Sequence, residues 1–239
     1  MSASTLPLTV LCVPGMWKDR NELVTQIAKL SGGYVFAGQA LMDSSSGTSF
    51  ELDVREHDPR MATSFINAGP HWCDTAEMRR IKDHTMVTYI VGDGGSSDRA
   101  EAFMKAAAGL LHAGGLGVKV ESTGLAFSPV DWLKLTEGIF TVHRAFVIYV
   151  TGHDTYSCGM HNLGLRDAIV EGKCSEDPVE LLRTFTRYVY IEKPKLRAGH
   201  TFSADKDAPR YRLSEQAETN YDCNHLFHNP YGMWRLAPV

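Results

Sequence analysis

The chain has 239 residues, of which 44% are hydrophobic and 22% charged, and its formal net charge is −4 with the histidines neutral. These values lie near globular averages and disfavour a disordered or fibrous chain, and the length suffices for one large core or two small ones. Lysines and arginines form no basic stripe, and no apolar run approaches the ~20 residues of a membrane helix, so neither nucleic acid nor a bilayer is the expected partner.

Met1 to Pro7 lacks the basic region and apolar stretch of a signal peptide. The run from Leu8 to Val13 is apolar and β-branched and ends at Pro14-Gly15, the pattern of a buried strand. A helix follows, with Asp19 and Glu22 at capping-box spacing, Leu23, Val24, Ile27 and Leu30 on one face, and Gly32-Gly33 as the stop. Tyr34 to Ala37 is a short strand that Ala40 to Asp43 extends. Phe50, Leu52 and Val54 alternate with Glu51, Asp53 and Arg55, as in a strand with one wet face. Asp58-Pro59 opens a helix to Ala68, and a further short helix covers Ala76 to Asp83. A strand from Thr85 to Val91 ends in a glycine-rich turn, and Ser97 to His112 is a helix burying Ala102, Phe103, Ala106, Leu110 and Leu111. Val118 and Val120 begin another strand.

In the second half, Val130 to Thr136 reads as a helix and Phe146 to Val150 as a strand. Asp177, Pro178 and Glu180 supply a cap, a first-turn proline and a returning glutamate for a helix through Tyr188. From Lys193 to Tyr221 the chain turns polar and reads as a long loop, while Asn229 to Leu236 is aromatic enough to dock on the core. The reading is one α+β domain over residues 1–239, divisible into lobes 1–125 and 126–239. A mixed or antiparallel sheet carries helices on one face, and the two strand–helix–strand runs admit two diverged ferredoxin-like halves.

Five cysteines, Cys12, Cys73, Cys158, Cys174 and Cys223, are irregularly spaced, which fits reduced thiols in the cytoplasm better than a disulfide scaffold. Histidine nitrogen and cysteine thiolate ligate zinc and related divalent metals, so His153, His161, Cys223, His225 and His228 are the candidate ligands of a metal-dependent enzyme, with Asp154 as base. Their spacing is no standard zinc signature, and ordinary histidines hydrogen-bonded at a loop surface, with small buried thiols, are the leading reading. Gly92, Gly94, Gly95, Ser96 and Ser97 form a strand-to-helix turn whose amides suit an anion or nucleotide, although the lysine of a phosphate loop and the dinucleotide fingerprint are missing. The carboxylates Glu51, Asp53 and Glu56 read as a solvated face. Cys158 near His161 has the elements of a thiol and base without a family signature. Trp17 and Trp72, beside turns, are the tryptophans expected to be most exposed.

The runs Val118 to Gly124, Ser128 to Trp132 and Gly152 to Asp167 together resemble the bacterial family catalogued as domain of unknown function 4261. The pattern Thr-x-x-x-Gly-Met-x-x-x-Gly-Leu-x-Asp falls on Thr155, Gly159, Met160, Gly164, Leu165 and Asp167. The likeness covers residues 85–172, with the closing Asn229 to Leu236. It implies an α+β fold in a bacterial cytoplasmic protein and implies no reaction. Cys158 and His161 stand outside the pattern, which counts against a catalytic pair. With no recognisable catalytic constellation, the leading expectation is a non-catalytic binding or regulatory module for a protein or a small ligand. The metal enzyme and the anion-binding turn are the alternatives.

Overall fold

The computed structural model describes residues 6–138, 141–170, 177–217 and 220–239. The opening apolar run is strand β1 (Leu8–Gly15), buried at every position after Leu8. It lies inside an antiparallel sheet built with β2 (Tyr34–Ala37), β3 (Ala40–Asp43), β4 (Ser49–Glu56), β5 (Met86–Asp93), β6 (Val118–Val120) and β7 (Leu125–Phe127). The strand order is β2-β3-β4-β5-β1-β6-β7. Helices α1 (Arg20–Leu30) and α4 (Ser97–His112) make the crossovers, so β4-β5-β1-β6 has the split β-α-β connectivity of ferredoxin-like folds.

Side chains alternate across a strand, and β1 uses both faces. Leu11 and Val13 join the main core, whereas Cys12 belongs to a second cluster with Met61, Phe65, Trp72, Met78 and Ile81. That cluster is supplied by α2 (Met61–Ala68), a 3-10 turn at Pro70–Trp72 and α3 (Ala76–Arg80). Helices therefore cover both faces of this sheet, where one was expected. A strand enclosed on both sides has no wet face, which is why its sequence runs apolar without alternation.

The second half holds α5 (Pro129–Glu137), α6 (Val142–Phe146), β8 (Ile148–Thr151), β9 (Thr155–Cys158), β10 (Asp167–Val170), α7 (Pro178–Glu192), β11 (Thr201–Phe202), β12 (Tyr211–Gln216) and β13 (Met233–Pro238). Its sheet runs β11-β12-β13-β10-β9-β8, and β10 pairs with β13 in parallel. This is no repeat of the first half, so the fold is α+β with one antiparallel and one mixed sheet. Residues Phe103 to Leu111 of α4 are buried round nearly the whole helix, apart from Lys105. The helix packs on β1 and β5 and also on α5, α6 and a 3-10 turn at Met160–Leu163. Its small residues permit that crowding.

Three local expectations are corrected. Ala40–Asp43 does not extend β2 but returns beside it, Phe36 facing Leu41, after a turn at Gly38-Gln39. Phe146 ends a helix rather than starting a strand. The polar stretch 193–221 contains β11 and β12, in which buried Tyr211 and Leu213 alternate with exposed Arg212 and Ser214. The caps also differ in detail. Asp19 accepts the Glu22 amide as expected, but Glu22 reaches back to Lys18 N at 2.7 Å.

Candidate functional site

The family-like pattern from Thr155 to Asp167 forms the seam between the halves. Gly159 and Gly164 have φ of +116° and +75°, and a side chain at either would collide with a backbone carbonyl, of Phe146 and Gly95 respectively. Between them Asn162, fully buried, accepts from Thr9 Oγ1 at 2.8 Å and Ser122 Oγ at 2.9 Å and donates to Gly159 O at 3.0 Å. Asp167 Oδ1 accepts from Ser157 Oγ at 3.0 Å and the Met160 amide at 3.2 Å, and Oδ2 accepts from Asn229 Nδ2 at 2.7 Å. Burial pushes this carboxyl up to about 6 against the pull of those donors.

The glycine-rich turn lies against this seam. Gly94 and Gly95 donate to Pro7 O at 2.7 Å and Asn162 O at 3.1 Å, so both amides are occupied by protein carbonyls. Gly92 sits beneath the Phe103 ring. Ser96 caps α4 by accepting the Arg99 amide, and the Ser97 hydroxyl meets Tyr190 Oη at 3.0 Å.

The five metal candidates do not gather at one point. His153 is exposed and bonded to Asp154 at 2.9 Å, and Cys223 is exposed. His225 stacks on Tyr221 and accepts the Phe227 amide, while His228 Nδ1 meets Tyr221 O at 3.0 Å. His161 is fully buried with neither ring nitrogen in a well-formed hydrogen bond, although the Leu226 backbone is near. Burial, and then His228, push it down to about 4. Among the described residues no three His, Cys, Asp or Glu side chains are grouped so as to hold a metal ion. Cys158 is buried, and desolvation followed by Asp167 raises its thiol far from nucleophilic range. Asp53 pairs with Arg55 on the wet face of β4. Trp17 and Trp72, expected exposed, are instead 2% and 4% exposed, because their indole N–H groups donate to the Ala113 and Ala126 carbonyls.

A cleft of about 650 Å³ opens between α6, β8 and α7. Phe127, Val147, Ile148 and Val179 give it apolar walls, and the exposed Arg144, Arg183 and Arg187 line its rim. Arg183 and Arg187 are one turn apart on α7 and share a face. Arg183 is bonded to Glu180 at 2.5 Å and lies 5.5 Å from the Tyr149 ring centre. Glu180, whose spacing reads as a returning cap residue, thus points forward to Arg183, and Asp177 alone accepts the Val179 amide. Among the described residues Arg144 and Arg187 have no carboxylate within ion-pair distance.

Beneath the rim, Thr186 organises the polar floor. Its hydroxyl bonds Leu182 O at 2.8 Å, Tyr149 Oη at 2.8 Å and His143 Nε2 at 3.1 Å. A threonine hydroxyl has one proton and two lone pairs. With the proton on Leu182 O, both Tyr149 O–H and His143 Nε2–H donate inward to Thr186. Burial first, then Arg187, push His143 down to about 4, and burial pushes Tyr149 up to about 12. Both stay neutral at neutral pH, and their protons face away from the cleft. The sequence signal for this cleft is Arg183 and Arg187 at helical spacing on a well-capped helix, a pattern that also fits an ordinary solvated face. No family model, curated protein or solved structure matches this chain.

Proposed function

We propose that this protein is a non-catalytic binding module whose cleft between α6, β8 and α7 takes a small organic anion with an apolar body. The observation that carries the reading is the division of labour in the cleft. Three guanidiniums line its rim, while the two groups able to move a proton, His143 and Tyr149, are tied to Thr186. Arginine stays protonated at any ordinary pH and therefore attracts an anion without serving as acid or base. Apolar walls and a volume of about 650 Å³ suit a ligand of small-molecule size. The family-like pattern lies on the seam and lends the cleft no chemistry. A cytoplasmic setting belongs to the same reading, and the buried thiols of Cys12 and Cys158 support it.

The test is a fluorescence titration with 8-anilinonaphthalene-1-sulfonate, an apolar anion that brightens when shielded from water. Wild-type protein is expected to bind it saturably, and an Arg144→Ala/Arg187→Ala double variant about tenfold more weakly, with an unchanged circular dichroism spectrum. Equal binding by both proteins would overturn the reading.

A further inference from the structure

The charges around the cleft carry the argument one step further, resting on the binding reading above. Among the described residues three guanidiniums line the cleft, and the carboxylate paired with one of them, Glu180, is already committed to Arg183. His143 and Tyr149 add no charge. The adjoining depression beyond Phe127 and Arg144 holds Lys134 and His71 with Asp131, so among its described residues acid does not exceed base. In a chain with a net charge of −4, two positive charges at one cleft without an ion-pair partner among the described residues are a local exception. A monoanion would leave one of them unmatched beside apolar walls.

We infer that the ligand is an organic phosphate monoester, bound as its dianion with the ester group against the apolar walls. A monoester phosphate concentrates two charges on three terminal oxygens, so it can meet more than one planar guanidinium fork at once, where a carboxylate offers two oxygens and one charge. Arg144 approaches from α6 while Arg183 and Arg187 approach from α7, so the compact anion is addressed from two walls. Val147, Ile148 and Val179 would then shield the organic part from water. Glu180 limits affinity, because it holds one of the three guanidiniums.

Displacement of bound 8-anilinonaphthalene-1-sulfonate by phenyl phosphate, phenyl sulfate, benzoate and inorganic phosphate tests this. At pH 7.5 phenyl phosphate is expected to displace the probe at about tenfold lower concentration than the other three. A phosphate monoester takes up its second proton near pH ~6, so at pH 5 the advantage over phenyl sulfate, whose charge is constant, should shrink to about threefold or less. Glu180→Gln should strengthen phenyl phosphate more than benzoate. Equal displacement by the three phenyl anions overturns the dianion inference and leaves the binding site standing. Parity of inorganic phosphate with phenyl phosphate overturns the organic body. Failure of the probe itself to bind removes both readings together.

Discussion

The seam and the arginine cleft are both polar, and both draw on the second half of the chain, yet their polar atoms are treated in opposite ways. At the seam, Asp167, Ser157 and Asn229 are buried and bonded to one another, and buried Asn162 is bonded to Thr9, Ser122 and the backbone. In the cleft, Arg144 and Arg187 stand at a solvent-facing rim with no carboxylate partner among the described residues. Burying a polar group is tolerable only when its hydrogen bonds are replaced inside the protein, so a satisfied cluster reports on folding. Charges held in a concave, partly apolar surface without a partner report on a missing one. The difference implies that substitutions at the seam cost stability and substitutions at the cleft cost affinity.

The comparison is tested most severely at Gly159. Gly159→Ala forces a side chain into the Phe146 carbonyl at positive φ, with an expected loss of about 4 kcal/mol or more. Thermal unfolding followed by circular dichroism should show the midpoint falling by about 10 °C or further. A drop of a degree or two would mean that the seam is far more yielding than it looks. Asn162→Ala comes next. It strands the Thr9 and Ser122 hydroxyls in the interior, and about 2–4 kcal/mol is expected in a urea titration. Probe binding by the folded variant should be unaltered, and a parallel loss of binding would couple the two regions.

Asp167 gives the comparison a pH axis. Its folded pKa of about 6 exceeds the free value of 3.8, so its contribution to stability is full below the free value and is lost as pH rises through 6. His143 and His161 behave oppositely: with folded values of about 4 against 6.5, they contribute above 6.5 and lose that contribution as pH falls through 4. Between these limits the carboxyl offsets part of the histidine loss, by at most about 3 kcal/mol. Asp167→Asn should therefore lose stability more steeply than wild type on acidification from pH 7 to pH 4. Parallel pH profiles would show that Asp167 does not titrate in that range. The smallest expected effect on stability is at the cleft, where Arg144→Ala and Arg187→Ala should each change unfolding by about 0.5 kcal/mol or less, while together they weaken probe binding about tenfold.

Helix α4 was legible, because Ser96 caps it, alanine fills it and glycines follow it. The α7 start was legible for the same kind of reason, since Asp177-Pro178 is a local signal with a local cause. What escaped was governed by distant partners. Strand β12 looks like loop because only Tyr211 and Leu213 mark its buried face, and their significance depends on β13 lying alongside. The residues picked for metal chemistry were chosen for reactivity in isolation, and packing then sent His153 to solvent and His161 to the interior. The cleft arginines were hidden because three unremarkable cations matter only once α6 and α7 face each other. Asp167 was in view as part of a pattern, but its role as a clasp depends on Asn229, 62 positions away.

Strand β13 has a consequence for the order in which the molecule takes shape. It lies between β10 and β12, although every other described strand precedes it in the chain. During synthesis the first sheet has all its strands by residue 127, and it can close while the rest is still being made. The second sheet remains two unconnected fragments, β8-β9-β10 and β11-β12, until residues 233–238 emerge and slot between them. Until that moment β10 and β12 each present an open edge, so a ribosome stalled short of this point would display adhesive strands beside a finished neighbour.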